Sequence, residues 1–458
     1  MMQSGRPSDA ANAVSALTSM PGAPVEALIL HVQALVAAGR REEALIASRR
    51  AAAAGVAHAD LGSAQIAADL GRFEEAEAGF RKVLANDPDD ERARRGLARA
   101  VFAGPAGIEG ALAVAREGLD RRWTPAQVLF AASLLNQAFR HQEALDLAKD
   151  GMARLPDSPQ MHGLAATSAA FAGRADEALS HAETALRLAP GEQALAAPLA
   201  ETRLGIGDWA GALQLLEPLR GQAPLDQKLI ALTATALRLK GDPQAGGLYD
   251  YDRFVRAFTL EPPAGWSGLA AFLADLKTCL DAILDRQGPT LGQSVRGGTQ
   301  TNVNLAASQE PLIRALFGAL EAPIADYVAR LPLGGDPLSQ PLAARNRGGF
   351  AIGGAWTVRL SPGDGRHVTH IHPEGWLSSA FYVDLPEVVR QGDGGQGWIQ
   401  FGEPGVPTRP RLAAEHSVRP EPGRLVLFPS YMWHGTQSFG GDQPRLTFAF
   451  DVVPADRR

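Results

Sequence analysis

An alanine followed twelve residues later by a proline recurs along the first half of the chain, and this spacing constrains the fold more than any other feature. The pairs are Ala76 and Pro88, Ala144 and Pro156, Ala178 and Pro190, and Ala212 and Pro224. The alanines are 68, 34 and 34 residues apart, so one period is 34 residues and the first interval is twice as long. A small alanine lets two antiparallel helices approach closely, and a proline ends a helix because it cannot donate the next hydrogen bond. The period therefore predicts a stack of helix pairs.

A glycine stands five residues before each of these alanines except Ala144, and it supplies the turn inside the predicted helix pair. These turns begin at Gly71, Gly173 and Gly207, and Gly39 begins an earlier copy before Ala44. The segment from Gly107 to Trp123 keeps the pattern only with a slip, because Trp123 stands where a proline is expected. The period equals the length of a tetratricopeptide unit, and about six units in residues 24–245 resemble the tetratricopeptide-repeat family. An irregular alanine-rich bundle is a weaker interpretation, because it does not predict constant spacing.

The sequence pattern changes near residue 246. Residues 254–260 are typical of a strand, and residues 268–284 and 309–331 have the apolar period of helices. After Pro341 the chain alternates short strands with glycine and proline turns; the predicted strands are 356–360, 377–385, 397–401, 424–428 and 445–453. Short strands at this spacing indicate a sandwich or barrel. We predict an α + β multidomain protein, in which the α-solenoid is followed by a double-stranded β-helix (jelly roll) with supporting helices.

The length of 458 residues is too great for one compact core, which favours more than one domain. We predict a flexible N-terminus at 1–23, a solenoid at 24–245 and a second domain at 246–458, with its β-rich core at about 341–458. The net charge of −6 argues against a nucleic-acid partner. The single cysteine, Cys279, requires no oxidising compartment, and no segment has the composition of a secretion signal or a membrane span. We therefore expect a cytoplasmic protein without a membrane partner.

Two histidines and a distant third indicate a metal site in the second domain. His370 and His372 are two residues apart, so on a strand both point to one face, and His434 follows a predicted apolar strand. Imidazole ligands suit Fe(II). Arg445 offers a planar fork for a carboxylate, and Thr447 lies on the same strand face. Tyr382, on the strand after the histidine pair, is a candidate to donate one more hydrogen bond to the same carboxylate.

These residues also carry a family resemblance. The motifs, in order, are His370-x-His372-Pro373, residues 377–383, residues 423–430, His434 and Arg445-x-Thr447. They resemble the bacterial and phage 2-oxoglutarate/Fe(II) oxygenases that often follow tetratricopeptide repeats, and the resemblance covers roughly residues 246–458. It implies Fe(II), the co-substrate 2-oxoglutarate and O₂, and usually a hydroxylated product. The wider superfamily has an acid at the position of His372, so the third ligand is open between His372, Glu374 and water.

We expect a dioxygenase that hydroxylates a protein or peptide recruited by the groove of the repeats, because solenoids build extended concave surfaces. Two alternatives remain: a non-catalytic interaction protein with a degenerate barrel, and a cupin-type metal enzyme that does not use 2-oxoglutarate. His367 would face away from His370 on a regular strand, so we expect it in a loop. Residues 296–301 form a predicted turn and are a weaker candidate for the substrate side of the site.

Overall fold

The computed structural model describes residues 7–190, 193–289, 293–331 and 349–454. Residues 1–6 and the predicted beginning of the β-rich core at Pro341 lie outside these ranges. Where the sequence predicted a flexible N-terminus, residues 7–18 form a helix, α1 (Pro7–Thr18). Ala10 and Ala11 of this helix are buried, and the hydroxyl of Thr18 lies 2.8 Å from Nδ1 of His31. The apolar contacts of α1 hold it on the first repeat, which the sequence argument did not foresee.

The N-terminal half is a solenoid of antiparallel helices. After α1 the helices are α2 Val25–Ala37, α3 Arg41–Ala53, α4 Ala59–Asp69, α5 Phe73–Asn86, α6 Glu91–Ala103, α7 Gly107–Arg121, α8 Pro125–Gln137, α9 His141–Arg154, α10 Pro159–Phe171, α11 Ala175–Leu188, α12 Gln193–Ile206, α13 Trp209–Gln222 and α14 Gln227–Lys240. Helices α2 to α13 form six consecutive pairs, numbered here as repeats one to six. This agrees with the predicted number of units.

The periodic alanines, glycines and prolines have the structural roles that their spacing predicts. The repeating alanines 44, 76, 144, 178 and 212 are 0% exposed between helices. Helices α5, α9, α11 and α13 each end two residues before the periodic proline. The turn glycines Gly39, Gly71, Gly173 and Gly207 have φ between 72° and 86°. In the fourth repeat Phe139 takes the same place with φ 59°, a left-handed conformation that is unusual for a bulky residue.

The C-terminal part mixes short helices with strands. The elements are α15 Gln244–Leu248, α16 Tyr251–Phe254, β1 Arg256–Thr259, α17 Leu269–Leu284, β2 Val295–Arg296, β3 Gly298–Gln300, a 3₁₀ turn Leu305–Ala307, α18 Pro311–Ala329, β4 Phe350–Leu360, β5 Arg366–His367, β6 Leu377–Asp384, α19 Glu387–Gln391, β7 Ile399–Phe401, β8 His416–Val418, β9 Arg424–Pro429, β10 His434–Thr436 and β11 Arg445–Pro454. Each strand and helix that the sequence predicted here is present, with ends shifted by a few residues. The five additional strands, β2, β3, β5, β8 and β10, have only two or three residues, too few to show a period in the sequence.

The strands form three antiparallel sheets. The largest has six strands in the order β1-β9-β6-β11-β4-β3, a second has the order β10-β7-β8, and β2 pairs with β5. The strand β11 is central in the large sheet, with β4 on one side and β6 on the other. A single bridge between His370 and His434 ties the segment after β5 to the start of β10.

One hydrophobic core runs from the sheets into the last solenoid helices. It joins residues of α12 to α14, such as Leu204 and Ile230, to Phe428 and Trp433. The indole N–H of Trp433 donates to the hydroxyl of Thr235 at 3.0 Å, and Arg238 pairs with Glu415 at 2.9 Å. The core therefore continues across residue 245, where we placed the domain boundary from the sequence. Among the described helices, none is both long and apolar enough to cross a membrane.

Candidate active site

Backbone hydrogen bonds bring the three predicted histidines to one place. The amide N–H of His370 donates to the carbonyl of His434 at 3.0 Å, and His434 returns the bond at 3.1 Å. The N–H of His372 donates to the carbonyl of Ser430, also at 3.0 Å. His370 and His372 thus lie on a bridged segment rather than on the regular strand that we assumed, and His434 opens β10. One ring nitrogen from each histidine lies within 4.8 Å of those of the other two.

The hydrogen bonds of the three rings leave their Nε2 atoms facing one another. Nδ1 of His370 lies 2.9 Å from the carbonyl of Val368, and Nδ1 of His434 lies 2.9 Å from that of Met432. Because a carbonyl oxygen only accepts, both Nδ1 atoms carry the proton and both Nε2 atoms keep a free electron pair. The Nε2 atoms of His370 and His372 are 3.1 Å apart. Three lone pairs that converge in this way are the arrangement that a metal ion requires.

Burial keeps the imidazoles of His370 and His434 neutral. Desolvation and the neighbouring His372 lower the pKa of His370 to about 3. The pKa of His434 is lowered well below its ordinary value for the same reason, with the other imidazoles adding to the effect. A metal ligand must be deprotonated at the coordinating nitrogen, so the buried rings are in the required state near neutral pH.

Asp451 supplies a carboxylate directly behind His372. Its Oδ1 accepts from Nδ1 of His372 at 2.7 Å and from the hydroxyl of Ser378 at 2.8 Å. The hydroxyls of Ser378 and Ser430 lie 2.9 Å apart and continue the network. Asp451 was not among the residues predicted from the sequence, although it lies at an even spacing from Arg445 along β11. Glu374, the other acid that we considered, is exposed and lines the cavity, and it is not a member of the converging group.

A cavity of about 540 Å³ contains the histidines together with Arg445 and Thr447. Arg445 is 2% exposed, and its Nε and Nη1 atoms have no hydrogen-bond partner among the described residues. It also makes no ion pair with any of those residues, and its burial lowers the pKa of the guanidinium. A buried cation without a partner is costly, so this position suits an anionic ligand. The hydroxyl of Thr447 donates to the carbonyl of Val358 at 3.4 Å on the same wall.

Tyr382 lies behind Arg445 rather than on the cavity wall. Its ring centroid is 5.1 Å from Cζ of Arg445, and the fully buried tyrosine interacts with that guanidinium. Burial raises the pKa of this hydroxyl, so Tyr382 is neutral. Its contact with the guanidinium fixes the position of the arginine.

His367 and the segment around residue 300 also face the cavity, which corrects the prediction of a loop histidine. His367 is in β5, its ring stacks on that of His370 at 5.8 Å, and its Nδ1 lies 2.9 Å from the hydroxyl of Ser294. Gln300, from the predicted turn, contributes to the same wall at the end of β3. We predicted that His367 would face away from His370 because side chains alternate along a regular strand. This prediction was wrong because β5 ends at His367, so the chain is no longer a regular strand at His370.

Two family models match the sequence. Residues 354–451 match the model described as "Putative 2OG-Fe(II) oxygenase", which includes all three histidines, Arg445 and Asp451. Residues 169–236 match a tetratricopeptide-repeat model. The chain therefore joins a segment that matches tetratricopeptide repeats to a segment that matches the 2OG-Fe(II) oxygenase model. Comparison with curated proteins gives no match.

Similar solved structures are tetratricopeptide proteins. One is a thermophilic protein of Thermus thermophilus, 24% identical, covering 37% of this chain and 92% of that chain with a TM-score of 0.31. Another is a protein from Parabacteroides merdae, 16% identical, covering 49% of this chain and 90% of that chain with a TM-score of 0.38.

Proposed function

We propose that the protein is an Fe(II)- and 2-oxoglutarate-dependent oxygenase that hydroxylates a protein or peptide. The observation that carries this proposal is one cavity that is lined by three histidines with converging ring nitrogens and by a buried guanidinium without an anionic partner among the described residues. The first feature suits a metal and the second suits a carboxylate. The proposal includes a double-stranded β-helix as the fold around the cavity, which is compatible with the large and small antiparallel sheets.

The proposed metal ligands are His370, His372 and His434. Neutral imidazole suits Fe(II), and three protein ligands leave positions for an oxo-acid and dioxygen. Bound together, Fe(II), 2-oxoglutarate and O₂ supply oxidising chemistry in which the oxo-acid loses CO₂ and one oxygen atom enters the substrate. The hydrogen bond from His372 to Asp451 orients the ring and raises its basicity as a ligand. The carboxylate of Asp451, which bonds to the ligand rather than to the metal, thus supplies part of the negative charge that an acidic ligand would provide.

Arg445 and Thr447 are the proposed contacts of the distal carboxylate of 2-oxoglutarate. The planar guanidinium matches a carboxylate in a bidentate manner, and Thr447 lies on the same face of β11. Tyr382 is the proposed support of this pair, because its ring packs against the guanidinium. Burial strengthens the interaction because little water competes for the charge.

Arg445 also separates this proposal from its alternatives. A degenerate barrel that only binds partners has no need of a buried cation, and a cupin-type enzyme without an oxo-acid leaves that cation unpaired. Three histidine ligands by themselves are compatible with the cupin alternative.

An anaerobic titration tests the proposal. We expect a metal-to-ligand charge-transfer band when Fe(II) and 2-oxoglutarate are added together, and no band with either alone. His434→Ala should abolish the band, because no other described imidazole nitrogen is placed to replace its Nε2. His58→Asn is the matched control: His58 lies in the solenoid with φ 61°, which asparagine tolerates. Fe(II) binding without a band on adding the oxo-acid would favour the cupin alternative, and absence of Fe(II) binding would favour a degenerate barrel.

A further inference from the structure

A cleft of about 860 Å³ separates the fourth and fifth repeats from the oxygenase domain. Phe139, His141 and Phe171 line it on the solenoid side, and Arg296, Arg366 and the loop at 403–407 line it on the other. His367, Val368 and Thr436 line both this cleft and the metal cavity. The two spaces therefore lie on either side of these three residues, so the cleft is directly adjacent to the metal cavity.

The solenoid wall presents aromatic rings to solvent. Phe139 is 60% exposed and Phe171 is 45% exposed, and His141 stacks on Phe171 with a centroid distance of 5.2 Å. Phe139 is also the residue that holds a left-handed turn where four other repeats have glycine. A bulky residue is unfavourable in that conformation, so the backbone of this turn favours glycine and the phenylalanine carries a conformational cost. Grouped exposed rings of this kind mark a surface that binds a partner.

The opposite wall carries two positive charges. The guanidinium of Arg296 lies 5.6 Å from the ring centroid of Phe139, and Arg366 is close enough to lower the pKa of Arg296 further after burial has lowered it. Neither arginine makes an ion pair with any residue in the described ranges. The acid in the cleft wall, Glu403, already pairs with Arg411 at 2.7 Å. The charge of the cleft therefore complements a carboxylate, which an arginine fork binds with two hydrogen bonds.

The open cleft leaves room for a chain segment outside the metal cavity. It measures about 860 Å³, near the upper end of the roughly 300–1,000 Å³ of small-molecule pockets, while the oxo-acid would occupy the separate cavity of about 540 Å³. We propose that the cleft binds an extended peptide in which an acidic side chain next to an aromatic one sits between Phe139, Phe171 and the two arginines, so that a nearby residue enters the metal cavity. This inference rests on the proposed function, since it names the substrate class of the same site.

Fluorescence anisotropy with labelled synthetic peptides tests the inference on the full chain. The probes are peptide pools with a fixed Phe-Asp pair in random Ser/Gly flanks, and matched pools with Phe-Lys or Ala-Asp. At low salt we expect the Phe-Asp pool to bind about tenfold more tightly than either matched pool. Equal binding of the three pools would overturn the inference, as would tighter binding of a labelled single-stranded oligonucleotide, which would assign the arginines to phosphate.

Two variants locate the binding. Phe139→Gly restores the residue that the other repeats use, so it should melt at or above the wild-type temperature while losing about tenfold in affinity for the Phe-Asp pool. The double variant Arg296→Gln, Arg366→Gln should remove the preference for Phe-Asp over Phe-Lys. Ile46→Ala, at a residue 59% exposed on α3, and Arg187→Gln on α11 are the matched controls. Wild-type affinity in both cleft variants would place the peptide elsewhere and contradict the inference.

The charge-transfer band in the wild-type protein distinguishes failure of the peptide inference from failure of the proposed oxygenase function. A band with no preference for the Phe-Asp pool contradicts this inference alone. A missing band contradicts the proposed oxygenase, whether or not the peptide binds.

Discussion

At the scale of single residues, the candidate site depends on groups behind the proposed ligands as much as on the ligands themselves. Asp451 accepts from both His372 and Ser378, and the carbonyls of Val368 and Met432 accept from the other two rings. Each of these bonds selects the tautomer that leaves Nε2 free. In the proposed site, the position of an acidic ligand is thus taken by His372, which has the carboxylate of Asp451 behind it.

We predict that Asp451→Asn weakens Fe(II) binding by about 10–100-fold, as is usual for loss of a charged partner of a ligating histidine. The amide is similar in size, so the fold should be retained. Asp326→Asn, at an exposed carboxylate on α18 that pairs with Arg330, is the matched control. Anaerobic calorimetric titration with Fe(II) gives the affinity of each variant. Equal affinities would mean that Asp451 has only a structural role.

Arg445→Met should separate stability from ligand binding. In the absence of 2-oxoglutarate the variant should melt at or above the wild-type temperature, because an apolar side chain replaces a buried cation without a partner. Excess 2-oxoglutarate with a redox-inert divalent metal should raise the melting temperature of the wild type but not of the variant, since only a bound ligand stabilises the folded state. A wild-type shift in the variant would assign the oxo-acid to another residue.

At the scale of elements, the turns inside the repeats have two different surroundings. Gly71 and Gly173 occupy equivalent turns with φ 74° and 75°. A methyl group on Gly71 would overlap the carbonyl of Arg286, which follows α17 in the C-terminal part, whereas one on Gly173 would meet nothing within 4 Å. The second repeat thus contacts the C-terminal part through its turn, while the turn of the fifth repeat borders open space next to the cleft.

This difference predicts unequal costs for the same substitution. Gly173→Ala should lower the free energy of unfolding by about 1–2 kcal/mol, the cost of a left-handed conformation for alanine. Gly71→Ala should cost about 1–3 kcal/mol more, because the overlap with Arg286 forces the backbone to shift. Urea denaturation of both variants measures the difference. If the two costs are equal, the second repeat does not pack on the oxygenase domain through this turn.

At the scale of the whole molecule, the solenoid and the C-terminal part of the chain share one core. Thr235 and Arg238 of α14 bond to Trp433 and to the segment around Gly402, and the carbonyl of Leu204 accepts from the N–H of Arg409. The sixth repeat and α14 therefore support the segment around the strand that carries His434. The solenoid also forms one wall of the cleft. It therefore both stabilises the candidate site and shapes the cleft next to it.

A fragment of residues 246–458 should consequently fail to behave as a folded domain, although it contains all of the proposed ligands. Removal of α12 to α14 exposes the apolar face around Trp433, and we expect aggregation on size-exclusion chromatography. A fragment of residues 191–458 retains these helices and should remain monodisperse and show the charge-transfer band. A monodisperse 246–458 fragment that shows the band would restore the boundary at 245.

The sequence by itself determined the features that repeat or that depend on neighbours along the chain. Constant spacing of Ala, Gly and Pro specified the helix pairs, alternation specified the longer strands, and the order of His370, His434 and Arg445 indicated the chemistry. Only the tertiary structure decided which groups stand behind those residues, because Asp451 reaches His372 from 79 positions away and no local pattern encodes that contact. The same holds for His367, for the left-handed turn at Phe139 and for the cleft between Phe139 and Arg296. Such features arise where separate elements pack together, and their residue types look ordinary until the chain has folded.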